Sequence, residues 1–259
     1  DIRNTKTCLL ASRDCSHVFH LAAQTSVPAS IDNPRLTFDI NVSGFENILD
    51  ACIVNKVQQF VYSSSSAVYG RNPNRAKEDQ NCRPDTPYAK SKLENEIYAD
   101  TIIKTEHINC IGLRYFNVFG AREEVGYSSY SPVISNWIEA IVNNQPVHIF
   151  GDGSNTRDFF PVRDAINANM LAIDCSIRNT VVNIASGHSI SLIELYMLMV
   201  ETYRDLGLEY SRKAVHSGPR KGDIVDSIAD IGKARRLLGY EPTDNLQVCI
   251  REMFKFRLN

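Results

Sequence analysis

No stretch of this 259-residue sequence stays apolar long enough to span a bilayer, and no signal-peptide pattern opens it. Nor does either charge dominate: 28 basic residues against 30 acidic ones leave a net charge of −2, which gives no reason to expect nucleic acid or an anionic membrane surface as partner. There is no C-x-x-C, and the seven cysteines are scattered and odd in number, which reads as reduced thiols in a cytoplasmic protein rather than a disulfide framework. Metal-ligand spacing is missing too. His17 and His20 lie three apart in a run that reads as a strand, so they point to opposite faces, and no metal is expected. Internal repeats, low-complexity tracts and linkers are absent. So is any G-x-G-x-x-G or G-x-x-G-x-x-G, the turn that cradles a dinucleotide pyrophosphate at a helix N-terminus.

What is present centres on residues 61–92. V-Y-S-S-S-S-A-V-Y-G at 61–70 begins as a buried β-branched strand and ends in a cluster of hydroxyls, Ser63 to Ser66. P-Y-A-K-S-K at 87–92 reads as a helix with Pro in its first turn. Tyr88 and Lys92, four apart, share one helix face. An ammonium beside a phenol favours the phenolate, which would make Tyr88 a general base at neutral pH.

Elsewhere the patterning alternates strand and helix. H-V-F-H-L-A-A at 17–23, I-N-C-I-G-L-R-Y-F at 108–116 and V-V-N-I-A at 181–185 read as buried strands. The helix after Asn33-Pro34 carries Phe45, Ile48, Leu49, Cys52 and Ile53 at core spacing, Ser191 and Glu194 form a capping box, and Gly239 ends the last regular pattern before Tyr240. From about residue 119 loops lengthen and arginines are scattered.

The combination of strand, hydroxyl cluster, V-Y-G turn and P-Y-x-x-x-K resembles the catalytic region of extended short-chain dehydrogenase/reductases, specifically the NAD-dependent nucleotide-sugar 4-epimerases, and the resemblance runs over essentially the whole chain. It implies an α/β fold, a Rossmann-like parallel sheet with helices on both faces plus a smaller C-terminal α/β substrate domain. The expected division is 1–118 with about 160–185 for NAD, and 119–159 with 186–259 for the nucleotide sugar. Asp1-Ile2-Arg3 matches a segment that follows the family's third strand, so the sequence reads as lacking the usual first three strands and their Gly-rich turn.

The resemblance also implies roles. Ser65, four residues before Tyr69 of V-Y-G, joins Tyr88 and Lys92 as the catalytic set. NAD would meet Asp1, Ile2, Leu21, Ala22, Ala23, Gln24, Thr25, Asn41, Ser63, Tyr115 and Phe116, as well as Tyr88 and Lys92. The UDP-sugar would meet Ser26, Ser64, Ser65, Asn117, Val133 and Phe150, with Arg157, Arg220 and Asp223 around the diphosphate and Ser227 beside the C2 substituent. A homodimer through helices 35–55 and 87–106 is expected. Sister dehydratases need Asp-Glu where this chain has Ser66-Ala67, and a decarboxylase needs a Glu at Ala67, so epimerisation is favoured. Ser227 is small enough to leave room for an N-acetyl group, and the neighbouring segments resemble the UDP-N-acetylglucosamine 4-epimerase branch, which points to UDP-GlcNAc/UDP-GalNAc interconversion; a UDP-glucose epimerase, a dehydratase and a non-catalytic sugar-nucleotide-binding protein are the alternatives.

Overall fold

A computed structural model of the chain describes residues 1–71, 75–123, 132–218, 226–243 and 245–259. The first elements are α1 (Thr5–Ala11), β1 (His17–His20), α2 (Val27–Asp32), α3 (Pro34–Phe38), a π-helical turn at Asp39–Ser43 and α4 (Gly44–Val54). β2 (Gln59–Ser65) follows and passes through a 3₁₀ turn (Ser66–Tyr69) toward α5 (Pro87–Ile102), β3 (Asn109–Tyr115) and β4 (Asn117–Phe119). Then come α6 (Val133–Val142), β5 (His148–Phe150), β6 (Thr156–Arg157), β7 (Phe159–Pro161), α7 (Val162–Ile173) and β8 (Asn179–Ile184). The chain continues through β9 (Ile190–Ser191), α8 (Leu192–Arg204), β10 (Val215–Ser217), α9 (Gly232–Leu238) and α10 (Leu246–Leu258).

β1, β2, β3 and β8 form one parallel sheet in that order, with Tyr62 beside Gly112 and Ser65 beside Tyr115. Strand alternation sends Phe60, Tyr62 and Cys110 to one face, where Phe45, Leu49 and Cys52 of α4 and Ala99 of α5 cover them. Val61, Ile111 and Leu113 go to the other, under Ala165, Ala168 and Ala172 of α7. This is the Rossmann-like arrangement, in which a parallel sheet is buried on both sides by helices. Gly112 is needed beneath Tyr62: a Cβ there would lie 2.6 Å from the phenol ring.

A separate apolar cluster joins α6, α8 and α10, built on Trp137, Ile138, Leu195, Met199 and Phe254. The smaller pairings β5–β10, β4–β7 and β6–β9 surround it. The helix expected from Pro34 to residue 55 is interrupted by the π turn, and residues 117–119 pair with β7, Asn117 N reaching the Asp158 carbonyl. All seven cysteines are free thiols, and among the described residues no helix is long and apolar enough to cross a membrane.

Candidate active site

α5 begins where Thr86 caps it, its Oγ1 accepting from Ala89 N at 3.2 Å, with Pro87 in the first turn. Tyr88 is thus a first-turn residue, and its backbone N–H has no partner within the helix. The Oγ of Ser30, buried in α2, accepts from it at 3.2 Å. Ser91 Oγ donates to the Tyr88 carbonyl at 2.8 Å and accepts from Asn41 Nδ2 at 3.0 Å. Asn41 sits in the π turn, a feature frequent at functional sites.

Strand alternation separates the serines. Ser63 and Ser65 share one face, and Ser64 takes the other. Lys92 is buried, and its Nζ donates to Ser63 O at 2.9 Å and Ser63 Oγ at 3.2 Å; burial pulls its pKa down to about 8. Ser65 Oγ accepts from Ala67 N at 3.2 Å, which sets the 3₁₀ turn, and its hydroxyl lies close enough to the Tyr88 phenol to lower its pKa. Gly70 ends that turn at φ 63, where an added Cβ would lie 2.1 Å from the Arg83 carbonyl oxygen.

Several of the expected residues are engaged within the chain. Burial raises the Tyr88 pKa, and the group that draws it back down is Ser65, not Lys92, whose ammonium is turned onto Ser63. Pleat alternation turns the Ser64 hydroxyl inward, where it donates to Glu96. Asn41 directs its polar atoms to partners within the chain. Its Oδ1 accepts from Gln24 N at 2.7 Å and both Nδ2 protons go to Gln24 O and Ser91, so it fixes the 21–25 segment against α5. Phe116 is a core residue packed on Tyr69 with ring centroids 6.4 Å apart.

The remaining expected positions fall in two groups. Around the ends of β1 and β2, Leu21, Ala22 and Thr25 are exposed, Ala23 and Gln24 half-buried, and Ser26 caps α2. Tyr115 lies beside Ser65, stacked on Phe160, its phenol accepting from Asn169 Nδ2 at 2.6 Å. Ile2 packs on Gly44, whereas the exposed Asp1 places its carboxylate on Arg3. In the second group, Asn117 Nδ2 donates to Asp158 O at 3.0 Å, beside Arg157 in β6, and Val133 and Phe150 are half-buried in α6 and β5. Thr156 Oγ1 donates to Asp226 Oδ1 at 2.9 Å, which brings half-buried Ser227 to this side. Arg220 and Asp223 lie outside the described residues.

Sequence reasoning missed the residues that hold these groups in place. Asp158 is fully buried and accepts from Ser186 N, Ser186 Oγ, Gly187 N and Ala229 N, although burial still raises its pKa. Arg114, also buried, forks onto Glu96 through Nε at 2.9 Å and Nη2 at 2.6 Å. Two signals pointed to that pair: an arginine inside the apolar strand G-L-R-Y-F, which demands a buried partner, and a Glu four residues beyond Lys92 on the same helix face.

The arrangement fits the ribose and nicotinamide side of NAD. Lys92 has three donors and gives two to Ser63, so one remains for a ribose hydroxyl. Gln24 Oε1 is a buried acceptor without a partner at the end of β1, next to the small side chains of Ala22 and Ala23. In a parallel α/β sheet, this crevice at the strand C-termini is where ligands bind.

Residues 1–185 match the NAD dependent epimerase/dehydratase family. The chain is 35% identical to a putative UDP-glucose 4-epimerase of Methanocaldococcus jannaschii over 250 residues, 95% of this chain and 78% of that protein. It superposes on the UDP-N-acetylglucosamine 4-epimerase of Methanobrevibacter ruminantium with a TM-score of 0.90 at 34% identity, covering 97% of this chain and 79% of the other. For the UDP-glucose 4-epimerase of Thermus thermophilus, solved with NAD, the TM-score is 0.88 at 30% identity, with 99% and 83% covered. The chain belongs to the NAD dependent epimerase/dehydratase family. Within it, the activity is that of an NAD-dependent UDP-sugar 4-epimerase.

Proposed function

We propose that this protein interconverts UDP-GlcNAc and UDP-GalNAc, inverting C4 through a 4-keto sugar, and accepts the plain hexoses more poorly. The observation that carries the choice of sugar is Ser227: a small, half-buried side chain on a segment pinned by Thr156–Asp226 and by Ala229 N on Asp158. In this reading Ser227 walls the pocket beside C2 and leaves room for an acetamido group. The likeness to a UDP-N-acetylglucosamine 4-epimerase supports it. The relatives named for UDP-glucose favour the plain hexoses as second reading.

NAD, when bound, would supply the acceptor and then the donor of the hydride that leaves and returns to C4. The chain's own residues handle the proton. Tyr88 removes it from the C4 hydroxyl, Ser65 hydrogen-bonds the same oxygen as charge develops there, and Lys92 grips the ribose. The nucleotide would lie against Phe150, with Asn117, Val133 and Ser26 along the sugar and Arg157 with Arg220 and Asp223 about the diphosphate, where guanidinium forks match phosphate oxygens. Ser66 and Ala67 offer no acid–base pair for dehydration. The same reading divides the chain into an NAD part, 1–118 with about 160–185, and a sugar-nucleotide part, 119–159 with 186–259. It pairs two copies through the helices around 35–55 and 87–106. Tyr88→Phe tests the chemistry: turnover is expected to fall by about 10²-fold or more while UDP-sugar affinity stays within about twofold. Epimerisation at the wild-type rate in that variant would rule out Tyr88 as the base.

A further inference from the structure

The catalytic groups sit on two separate pieces of backbone. Ser65 ends β2 and leads into the 3₁₀ turn, whereas Tyr88 and Lys92 ride on α5. Their alignment requires that turn and helix hold one fixed relation, and a 1 Å error there can cost about 10²-fold in rate. Both are referred to a single side chain. The Arg114 guanidinium directs Nε and Nη2 to Glu96, one turn beyond Lys92 on α5, and Nη1 to the phenol oxygen of Tyr69 at 2.8 Å, the last residue of the turn. Tyr69 OH donates in turn to Asn183 Oδ1 at 2.6 Å, and Asn183 neighbours Arg114 across the sheet. Asn183 Nδ2 then reaches Ala76 O at 3.0 Å and Asp230 O at 3.2 Å, on the segment that follows Ser227.

We infer that Arg114 is the positioning residue of the reaction, holding the Ser65 turn through Tyr69 and the Tyr88–Lys92 helix through Glu96 in one rigid unit. It touches neither substrate nor cofactor. The inference rests on the reading of Tyr88 as the base with Ser65 as its hydrogen-bond partner. A guanidinium suits this task because its planar fork fixes direction as well as distance, which an ammonium does not. With Arg114, Glu96 and Tyr69 all buried, neither arm can swing into water.

Tyr69→Phe removes one oxygen, keeps the ring and leaves the Arg114–Glu96 pair intact, so it releases the turn from Arg114 and Asn183 without touching the helix arm. The readout is the ionisation of Tyr88, followed by NMR of 13Cζ-labelled tyrosine, with Tyr88→Phe assigning the signal; no turnover is needed. Among the described residues, the charged groups about this pair are Lys92 on the same helix and, deeper, Glu96 and Arg114. β2 and α2 present uncharged Ser65 and Ser30, and the ring of His20 at the end of β1 is neutral. Because the nearby Ser65 hydroxyl lowers the Tyr88 pKa, a displaced turn moves the titration to higher pH. Tyr69→Phe is expected to shift it upward, as Ser65→Ala does. In the NAD-loaded enzyme kcat at neutral pH should fall about tenfold, recover as pH rises, and leave KM within about twofold.

Glu96→Gln tests the other arm and serves if Tyr69→Phe fails to fold. Losing an anion favours the phenolate, so an upward shift in this variant comes from displacement and not from charge. Leu195→Ala in the other apolar cluster controls for plain destabilisation: it should lower the melting temperature and leave the Tyr88 titration in place. A Tyr88 titration that moves in Ser65→Ala but not in Tyr69→Phe or Glu96→Gln overturns the inference and leaves the functional reading intact. A titration unmoved in Ser65→Ala, or turnover retained in Tyr88→Phe, overturns that reading and the inference with it.

Discussion

Removing one partner of the Arg114–Glu96 pair should be among the most damaging single changes available to this fold. The side chains retain only 4% and 7% of their exposure, and two charge-assisted hydrogen bonds join them. Burial alone would drag the Arg114 pKa down, but the bonds and charge of Glu96, with a contribution from Tyr69, raise it instead, so the guanidinium stays charged whatever the pH of the assay. Glu96→Ala therefore strands a buried cation and takes away the acceptor of Ser64. Breaking a buried pair in this way costs about 3–5 kcal/mol. At about 2–4 °C per kcal/mol for a chain of this size, the melting temperature should drop by roughly 6–20 °C. The companion variant, Glu96→Leu with Arg114→Met, removes both charges together and should lie within about 2 kcal/mol of wild type, because no unpaired charge remains. Calorimetric melts of this double variant and of Glu96→Leu and Arg114→Met singly form the double-mutant cycle. A loss below about 1 kcal/mol in Glu96→Ala, or a double variant as unstable as the sum of the singles, would refute the claim that the pair is dry and coupled.

Three other outcomes are expected. Ser227→Tyr should reduce kcat/KM for UDP-GlcNAc by at least about tenfold and leave UDP-glucose within about threefold; unchanged N-acetyl activity would move the specificity wall to Ser26 or Val133. His20, buried between Phe45 and Phe60, has its pKa lowered from 6.5 to about 4, by burial first and by Lys92 second. The unfolded chain thus binds this proton between pH 6.5 and 4 and the folded one does not, so about 3 kcal/mol of stability present above pH 6.5 is lost on acidification through that window; His20→Phe should flatten the slope of melting temperature against pH, and an unaltered slope would refute the assignment. Sedimentation should give a dimer that Ile97→Glu, at an exposed apolar position of α5, converts to monomer; a wild-type monomer at micromolar concentration would sink the pairing through these helices.

That one helix carries Tyr88 and Lys92 and that one buried strand ends in serines was legible in the sequence, because local rules suffice for it. Helical periodicity puts Tyr88 and Lys92 on one face, Pro87 marks the first turn, and an apolar strand ending in serines delivers hydroxyls to the crevice of a parallel sheet. The capping box at Ser191 and Glu194 and the glycine stop at Gly239 formed for the same reason, since each depends only on neighbours within a turn. What tertiary structure decided was where each polar group points and what it meets. Ser64 and Ser65 look alike in sequence, but pleat alternation sends one to Glu96 and the other to Tyr88. Lys92 sits one turn from Tyr88 yet bonds Ser63, because the end of β2 lies beneath it. Asn41, Arg114 and Asp158 work through partners 17 or more residues away. Desolvation determines which of these groups can stay charged, and it depends on the whole packed chain around them rather than on any stretch of it.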